Sequence, residues 1–114
     1  MHELAICQSI ISQVETLAQQ HQAKKVEKII LKIGLLAGVE SELLKQAFPL
    51  AAAGSCVENA DLIIESIPVR VKCTQCNVES EVAPNHLLCQ HCGDWRTKVI
   101  SGDEMLLARL EFLQ

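Results

Sequence analysis

The sequence predicts an α+β fold: two helices on a three-stranded sheet, with a small metal-clamped ribbon inserted near one end of the chain. Three observations predict it. An apolar stripe recurs at helical spacing over the first twenty-odd residues. Three later stretches alternate or run apolar as strands do. Two C-x-x-C pairs, Cys73 with Cys76 and Cys89 with Cys92, stand twelve residues apart between the last two of those stretches.

The first helix is expected from about Leu4 to His21, where Cys7, Ile10, Ile11, Val14, Leu17, Ala18 and His21 share a face and Gln8, Gln13, Glu15 and Gln19 lie between them. Cys7 and His21 sit on or beside that stripe and read as a buried thiol and a satisfied histidine. A strand follows over Val26 to Leu36, with Ile29, Leu31, Ile33 and Leu35 set against Lys28, Ile30 and Lys32, and Gly34 and Gly38 loosen its end. Ser41 caps a second helix whose apolar face is Leu43, Leu44, Ala47 and Phe48. Pro49 is expected to kink or break it, and Gly54 to end it. Cys56 falls in a loop, with no neighbouring base to activate it. Leu62, Ile63, Ile64 and Ile67 make the second body strand, stopped by Pro68. The third is Leu106, Ala108, Leu110 and Phe112 alternating with Met105, Leu107, Arg109 and Glu111.

The four interposed cysteines predict a closed metal cage. Each C-x-x-C sets two thiolates on one tight turn, and two such turns facing each other complete a tetrahedron with no open position. Zinc is the expected ion, and the insert reads as a zinc ribbon, a rubredoxin-like knuckle domain. Iron uses the same four thiolates, but one Trp and no Tyr leave little of the aromatic packing that iron sites of this kind have. Two disulfides would need an oxidising compartment, and the chain start lacks the basic, apolar and small-residue pattern of a secretion signal. The expectation is therefore a cytoplasmic location. The predicted division is 1–68 with 101–114 as the α+β body and 69–100 as the ribbon. The ribbon's few apolar side chains cannot hold it alone, which leaves the metal to do so.

Composition narrows the function classes. With 114 residues, 49% of them hydrophobic, no apolar run is long enough to span a bilayer. The formal net charge is −4, and the ribbon's Arg70, Lys72, Arg96 and Lys98 are offset by Glu79, Glu81 and Asp94. Phosphate binding needs a concentrated positive field and base stacking needs exposed rings, so no nucleic-acid partner is expected. The alternative reading, a zinc-ribbon adaptor or nucleic-acid-binding factor, would show itself by salt-sensitive binding. An enzyme is not expected either: there is no H-E-x-x-H, nucleophile elbow or phosphate loop.

The chain start carries a second chemical feature. The bulky His2 favours retention of Met1, and the Met1 α-amine, the His2 amide nitrogen and the His2 imidazole can close fused chelate rings on one metal. A flat, nitrogen-rich array suits nickel(II) or copper(II) better than zinc, and Glu3 can add its amide or its carboxylate.

Met1-His2-Glu3 leading straight into a helix, the segment KIGLLAGVE, and the paired C-x-x-C motifs together resemble the HypA/HybF family of hydrogenase nickel-incorporation proteins, over nearly the whole chain. The resemblance implies a cytoplasmic nickel metallochaperone without turnover, which delivers nickel(II) during maturation of nickel-iron hydrogenase. It implies His2 and Glu3 as nickel-binding residues, and Cys73, Cys76, Cys89 and Cys92 as ligands of one structural zinc per chain. It also implies a maturation GTPase and the nickel-iron hydrogenase large subunit as partners, with urease maturation factors as further ones. Glu40 stands where the family tends to carry an acid and could approach the N-terminus. His86 and His91 flank the second knuckle as surface residues. The free sheet edges could pair two copies into a homodimer.

Overall fold

The computed structural model describes residues 3–113. Helix α1 spans Glu3–Gln20, strand β1 Val26–Gly34, helix α2 Ser41–Ala52 and strand β2 Asp61–Ile67. Strands β3 (Val69–Cys73), β4 (Glu79–Val82) and β5 (Thr97–Ser101) precede the last strand, β6 (Met105–Phe112). Two three-stranded sheets result, ordered β2-β1-β6 and β4-β3-β5. The α+β class and the metal-knuckle insert are as expected. The chain divides into two compact units: Met1–Leu31 with Val39–Ile64 and Leu107–Gln114, and Lys32–Gly38 with Glu65–Leu106. The second unit thus takes in more chain than the 69–100 expected for the ribbon.

In the first unit α1 packs on α2. The predicted stripe supplies Cys7, Ile10, Ile11, Val14 and Ala18 to the core, and Leu44, Phe48 and Ala52 come from α2. The Cys7 thiol donates to the Leu44 carbonyl at 3.5 Å, so it is a satisfied buried thiol. Burial pushes its pKa up, with the Glu3 carboxylate adding to the shift. Each fully buried aliphatic side chain here contributes about 1.5–3 kcal/mol relative to exposure.

Several local expectations are corrected. Pro49 lies inside α2 rather than breaking it. It is exposed, and Leu44, Phe48 and Ala52, each four residues from the next, are buried around it, so packing on one face outweighs one missing hydrogen bond on the other. Ser41 does not cap α2. Glu40 holds the cap position with no side-chain cap bond, and its carbonyl accepts from the Leu44 amide at 3.0 Å. His21 is exposed and, as expected, satisfied: its Nδ1–H donates to the Leu17 carbonyl at 2.9 Å. On β1, Ile29, Leu31 and Ile33 are buried, but Leu35, expected on the same face, lies beyond the strand and is 52% exposed.

In the second unit, β3 is the central strand. It pairs antiparallel with β4 (Val71↔Ser80, Lys72↔Glu79) and with β5 (Lys72↔Lys98, Cys73↔Thr97). Val69, Val71 and Val82 form its core, with Leu36 and Leu87 packed against them. Gly34 is not the loosening element the sequence suggested. It is buried, its amide donates to the Glu104 carbonyl at 2.8 Å, and an added Cβ would overlap the Gly102 carbonyl group. Gly102 in turn adopts φ +104, with the Val69 Cα 2.7 Å from where its own Cβ would stand. Two backbones therefore meet where no side chain fits. Gly34→Ala is expected to cost about 3 kcal/mol, at the upper end for overpacking because the obstacle is backbone. Urea unfolding of the zinc-loaded variant checks this, and an unchanged midpoint would refute it.

Candidate metal centre

The two knuckles are built alike. In each, the first cysteine's sulfur accepts two backbone amides of its own turn: Gln75 and Cys76 at 3.3 and 3.4 Å on Cys73 Sγ, His91 and Cys92 at 3.3 and 3.4 Å on Cys89 Sγ. The turn closes when the residue after the second cysteine donates back to the first cysteine's carbonyl, Asn77 to Cys73 at 3.0 Å and Gly93 to Cys89 at 2.9 Å. Asn77 and Gly93 both adopt positive φ, 62° and 78°, a conformation open to Gly and tolerated by Asn. These two residues were missed in the sequence, although the repeated C-x-x-C-[Asn/Gly] carried the signal. A further bond from each first-cysteine amide, Cys73 to Val78 and Cys89 to Asp94, both at 3.0 Å, completes the repeat.

The knuckles face each other. Cys73 Sγ lies 3.6 Å from Cys92 Sγ and Cys76 Sγ lies 3.6 Å from Cys89 Sγ, and all four sulfurs fall within 4.8 Å of one another. A tetrahedral zinc with bonds of about 2.3 Å requires sulfur separations of roughly 3.8 Å, which the two 3.6 Å pairs approach and the 4.8 Å span of the cluster accommodates. All four cysteines are free of disulfides.

Protonation of the sulfurs divides by position. The Cys92 amide, joined by that of His91 and by neighbouring sulfurs, outweighs burial and draws the Cys89 thiol down to about 6. Cys73 is lowered in the same way, by the Cys76 amide first and then that of Gln75. For Cys92 the Asp94 amide pulls down, but burial and the sulfurs of Cys73, Cys76 and Cys89 overcome it and push the thiol up to about 12. Cys76 is raised likewise: the Val78 amide pulls it down, and burial with the Cys89 and Cys73 sulfurs prevails. Two thiolates form readily, whereas four together need a cation among them.

An Asp94–Arg96 fork braces the second knuckle. Arg96 Nε and Nη2 donate to the two Asp94 oxygens at 2.9 and 2.8 Å, and the Arg96 amide adds a third bond at 2.8 Å. The Arg96 side chain holds the Asp94 carboxyl well below the usual carboxylate range. The Arg96 carbonyl receives the Thr74 amide and hydroxyl at 2.9 and 2.6 Å, which ties this segment to the first knuckle.

The chain-start candidates fall partly out of view, since Met1 and His2 lie outside the described residues. Glu3 opens α1 and is half-buried. Its Oε2 is shielded from solvent and has no hydrogen-bond partner among the described residues. It lines a groove with Leu4 and Gln8 of α1 and Leu43, Gln46 and Leu50 of α2. Glu40, His86 and His91 are all exposed, and none belongs to a cluster of three or more metal-ligating side chains among the described residues. The four cysteines are the one such cluster there.

A family model described as hydrogenase/urease nickel incorporation, metallochaperone HypA matches residues 1–112. The hydrogenase maturation factor HypA of Nitrosospira multiformis is 47% identical over 113 residues, 99% of this chain and 98% of the relative. That of Aquifex aeolicus is 41% identical over 111 residues, 97% and 96% of the two chains. The fold is similar to the solution structure of the Ni metallochaperone HypA from Helicobacter pylori, with a TM-score of 0.73 and 30% identity, covering 99% of this chain and 98% of that one.

Proposed function

Because this chain belongs to the HypA family, and is a nickel metallochaperone of hydrogenase maturation with a four-cysteine metal centre, we propose that it carries nickel(II) on His2 and Glu3 and holds one structural zinc on Cys73, Cys76, Cys89 and Cys92. The observation that carries the nickel assignment is Glu3, whose buried Oε2 has no partner among the described residues at the point where the Met-His-Glu start enters α1. A shielded carboxylate oxygen left in this way is a site for a cation or for a donor fixed by one.

The two metals have different jobs. A closed four-thiolate cage retains its ion, whereas an amine, amide and imidazole array at a chain terminus loads and releases. The cargo affinity that suits transfer is near micromolar, about 8 kcal/mol, which a better-formed cavity in the receiving protein surmounts. The receiving protein in this reading is the nickel-iron hydrogenase large subunit. A maturation GTPase acts in the same handover, and urease maturation factors are further recipients. Transfer takes place in the cytoplasm, where thiolate ligands stay reduced, and involves no turnover. Among the described residues no helix is long and apolar enough to cross a membrane.

Proton competition gives this reading a test. Imidazole and α-amine must both be deprotonated to bind, so nickel affinity begins to fall below about 8, the free α-amine value, and falls more steeply below about 6.5, the free imidazole value. Calorimetry on tag-free, zinc-loaded protein with its native Met1 should return one nickel per chain near neutrality and progressively weaker binding on acidification. Affinity that stays flat between neutral and mildly acidic pH would assign the nickel to other ligands.

A further inference from the structure

The sheet of β4, β3 and β5 leaves one charge unanswered. Arg70 stands opposite Glu81 and Lys72 opposite Glu79 on the β3–β4 rungs, and Arg96 is locked on Asp94. On the β3–β5 side the rung is Lys72↔Lys98, so no acid stands opposite Lys98. Like charges directly opposed in an antiparallel pair destabilise it, with Cβ atoms about 5 Å apart. Both lysines are exposed, and neither makes an ion pair among the described residues. By strand alternation Lys72 points to the face opposite the buried Val71 and Cys73 side chains.

Apolar surface adjoins this charge. Lys72, Lys98, Thr74, Asn77 and the exposed Ile100 line a groove of about 330 Å³. Thr74 also donates its amide and hydroxyl to the Arg96 carbonyl, which holds the Trp95–Arg96 segment beside the groove. Trp95 is 73% exposed, although the backbone around it is fixed: the Thr97 amide donates to its carbonyl at 2.9 Å. The Arg96 guanidinium carbon, fixed in turn by Asp94, stands 5.9 Å from the indole centroid. A large ring presented to water on a braced backbone loses little freedom on docking, as interface anchors do.

We propose that this face docks an acidic protein segment in extended form, whose carboxylates and apolar side chains share one side. Lys72 and Lys98 take two carboxylates, and Trp95 and Ile100 cover the apolar side chains that flank them. Residues two apart on an extended chain point the same way about 7 Å apart, a spacing that two flexible lysine stems on one rung can meet. The charge pattern favours a protein segment over nucleic acid. Glu79 and Glu81 of β4 stand on the adjoining positions of β3 and would repel a phosphate backbone laid across the sheet, whereas two carboxylates fit between Lys72 and Lys98.

The capped peptide Leu-Ser-Glu-Ser-Glu-Ser-Leu, which sets Leu, Glu, Glu and Leu on one side when extended, tests the proposal on the zinc-loaded full chain. Calorimetry gives the affinity, and Trp95 reports locally, since the chain has one Trp and no Tyr. The parent should bind saturably, with Trp95 emission moving to shorter wavelength. The peptide with Gln in place of Glu, and the Trp95→Ala and Lys98→Glu variants, should each weaken binding about tenfold or more. Lys98→Glu sets an acid against Lys72, so the thermal midpoint and zinc content of the free chain should hold or rise even as binding is lost. If Lys98→Glu fails to fold by circular dichroism, Lys98→Gln serves in its place. No saturable binding, binding indifferent to the Gln peptide or to Lys98→Glu, or an effect of Lys98→Glu confined to zinc retention would each overturn the proposal. Tighter binding of a thymidine oligonucleotide than of the peptide would overturn it in favour of a nucleic-acid surface. None of these outcomes depends on the nickel assignment.

Discussion

Chelating the zinc unfolds the unit of Lys32–Gly38 and Glu65–Leu106 and leaves helices α1 and α2 standing. The expected signature is loss of amide protection in β3 and β5 with most of the far-ultraviolet helical signal retained. The size of the effect follows from what holds each unit. In the cysteine-bearing unit the buried apolar cluster is Val69, Val71 and Val82, and besides the ligand cysteines Ile33 is the one other buried apolar side chain, too little to order the roughly forty residues of Glu65–Leu106. Zinc supplies about 10–16 kcal/mol of apparent free energy to modules of this kind. Without it, the Cys76 and Cys92 thiols return to their protonated form and the cage loses its reason to close. The other unit has its own core in Ile10, Ile11, Val14, Leu44 and Phe48 and needs no ion. Cys73→Ala and Cys89→Ala should act as chelation does. A single cooperative loss of all secondary structure on chelation would show that the two units stand or fall together.

The second large effect is on nickel. On the proposed assignment His2→Ala removes a direct ligand, so nickel affinity should fall by more than the roughly 10–100-fold that removing an outer-shell partner costs. Zinc content and thermal unfolding should not change, because the zinc cage is built entirely from residues 73–92. Glu3→Gln keeps the shape and removes the charge, and should weaken nickel binding by about tenfold. In cells limited for nickel, hydrogenase activation should track the calorimetric order of parent, Glu3→Gln and His2→Ala. Nickel binding that survives His2→Ala and is lost in Cys73→Ala would move the cargo to the sulfur cage.

The sequence and the fold diverge at instructive places. Helix α1 was legible because its stripe has the helical period, and β1 because Ile29, Leu31 and Ile33 alternate. Pro49 misled because propensity acts on the backbone one residue at a time, while Leu44, Phe48 and Ala52 act together through burial. Gly34 misled for a related reason. A glycine in a strand reads as loss of order until the second backbone that approaches it, Gly102, is known. His21 has the spacing of a core residue, but it lies past the helix end, where its ring caps the Leu17 carbonyl.

The sequence by itself determined the α+β class and the two C-x-x-C knuckles, because each depends on spacing within a few residues, over which local geometry is fixed by bonds and turns. Only the tertiary structure decided the closing of Cys73 onto Cys92 and Cys76 onto Cys89, the two-backbone contact at Gly34, and the rung that sets Lys72 against Lys98. These join residues far apart in the chain, and their positions follow from which surfaces win the competition for burial.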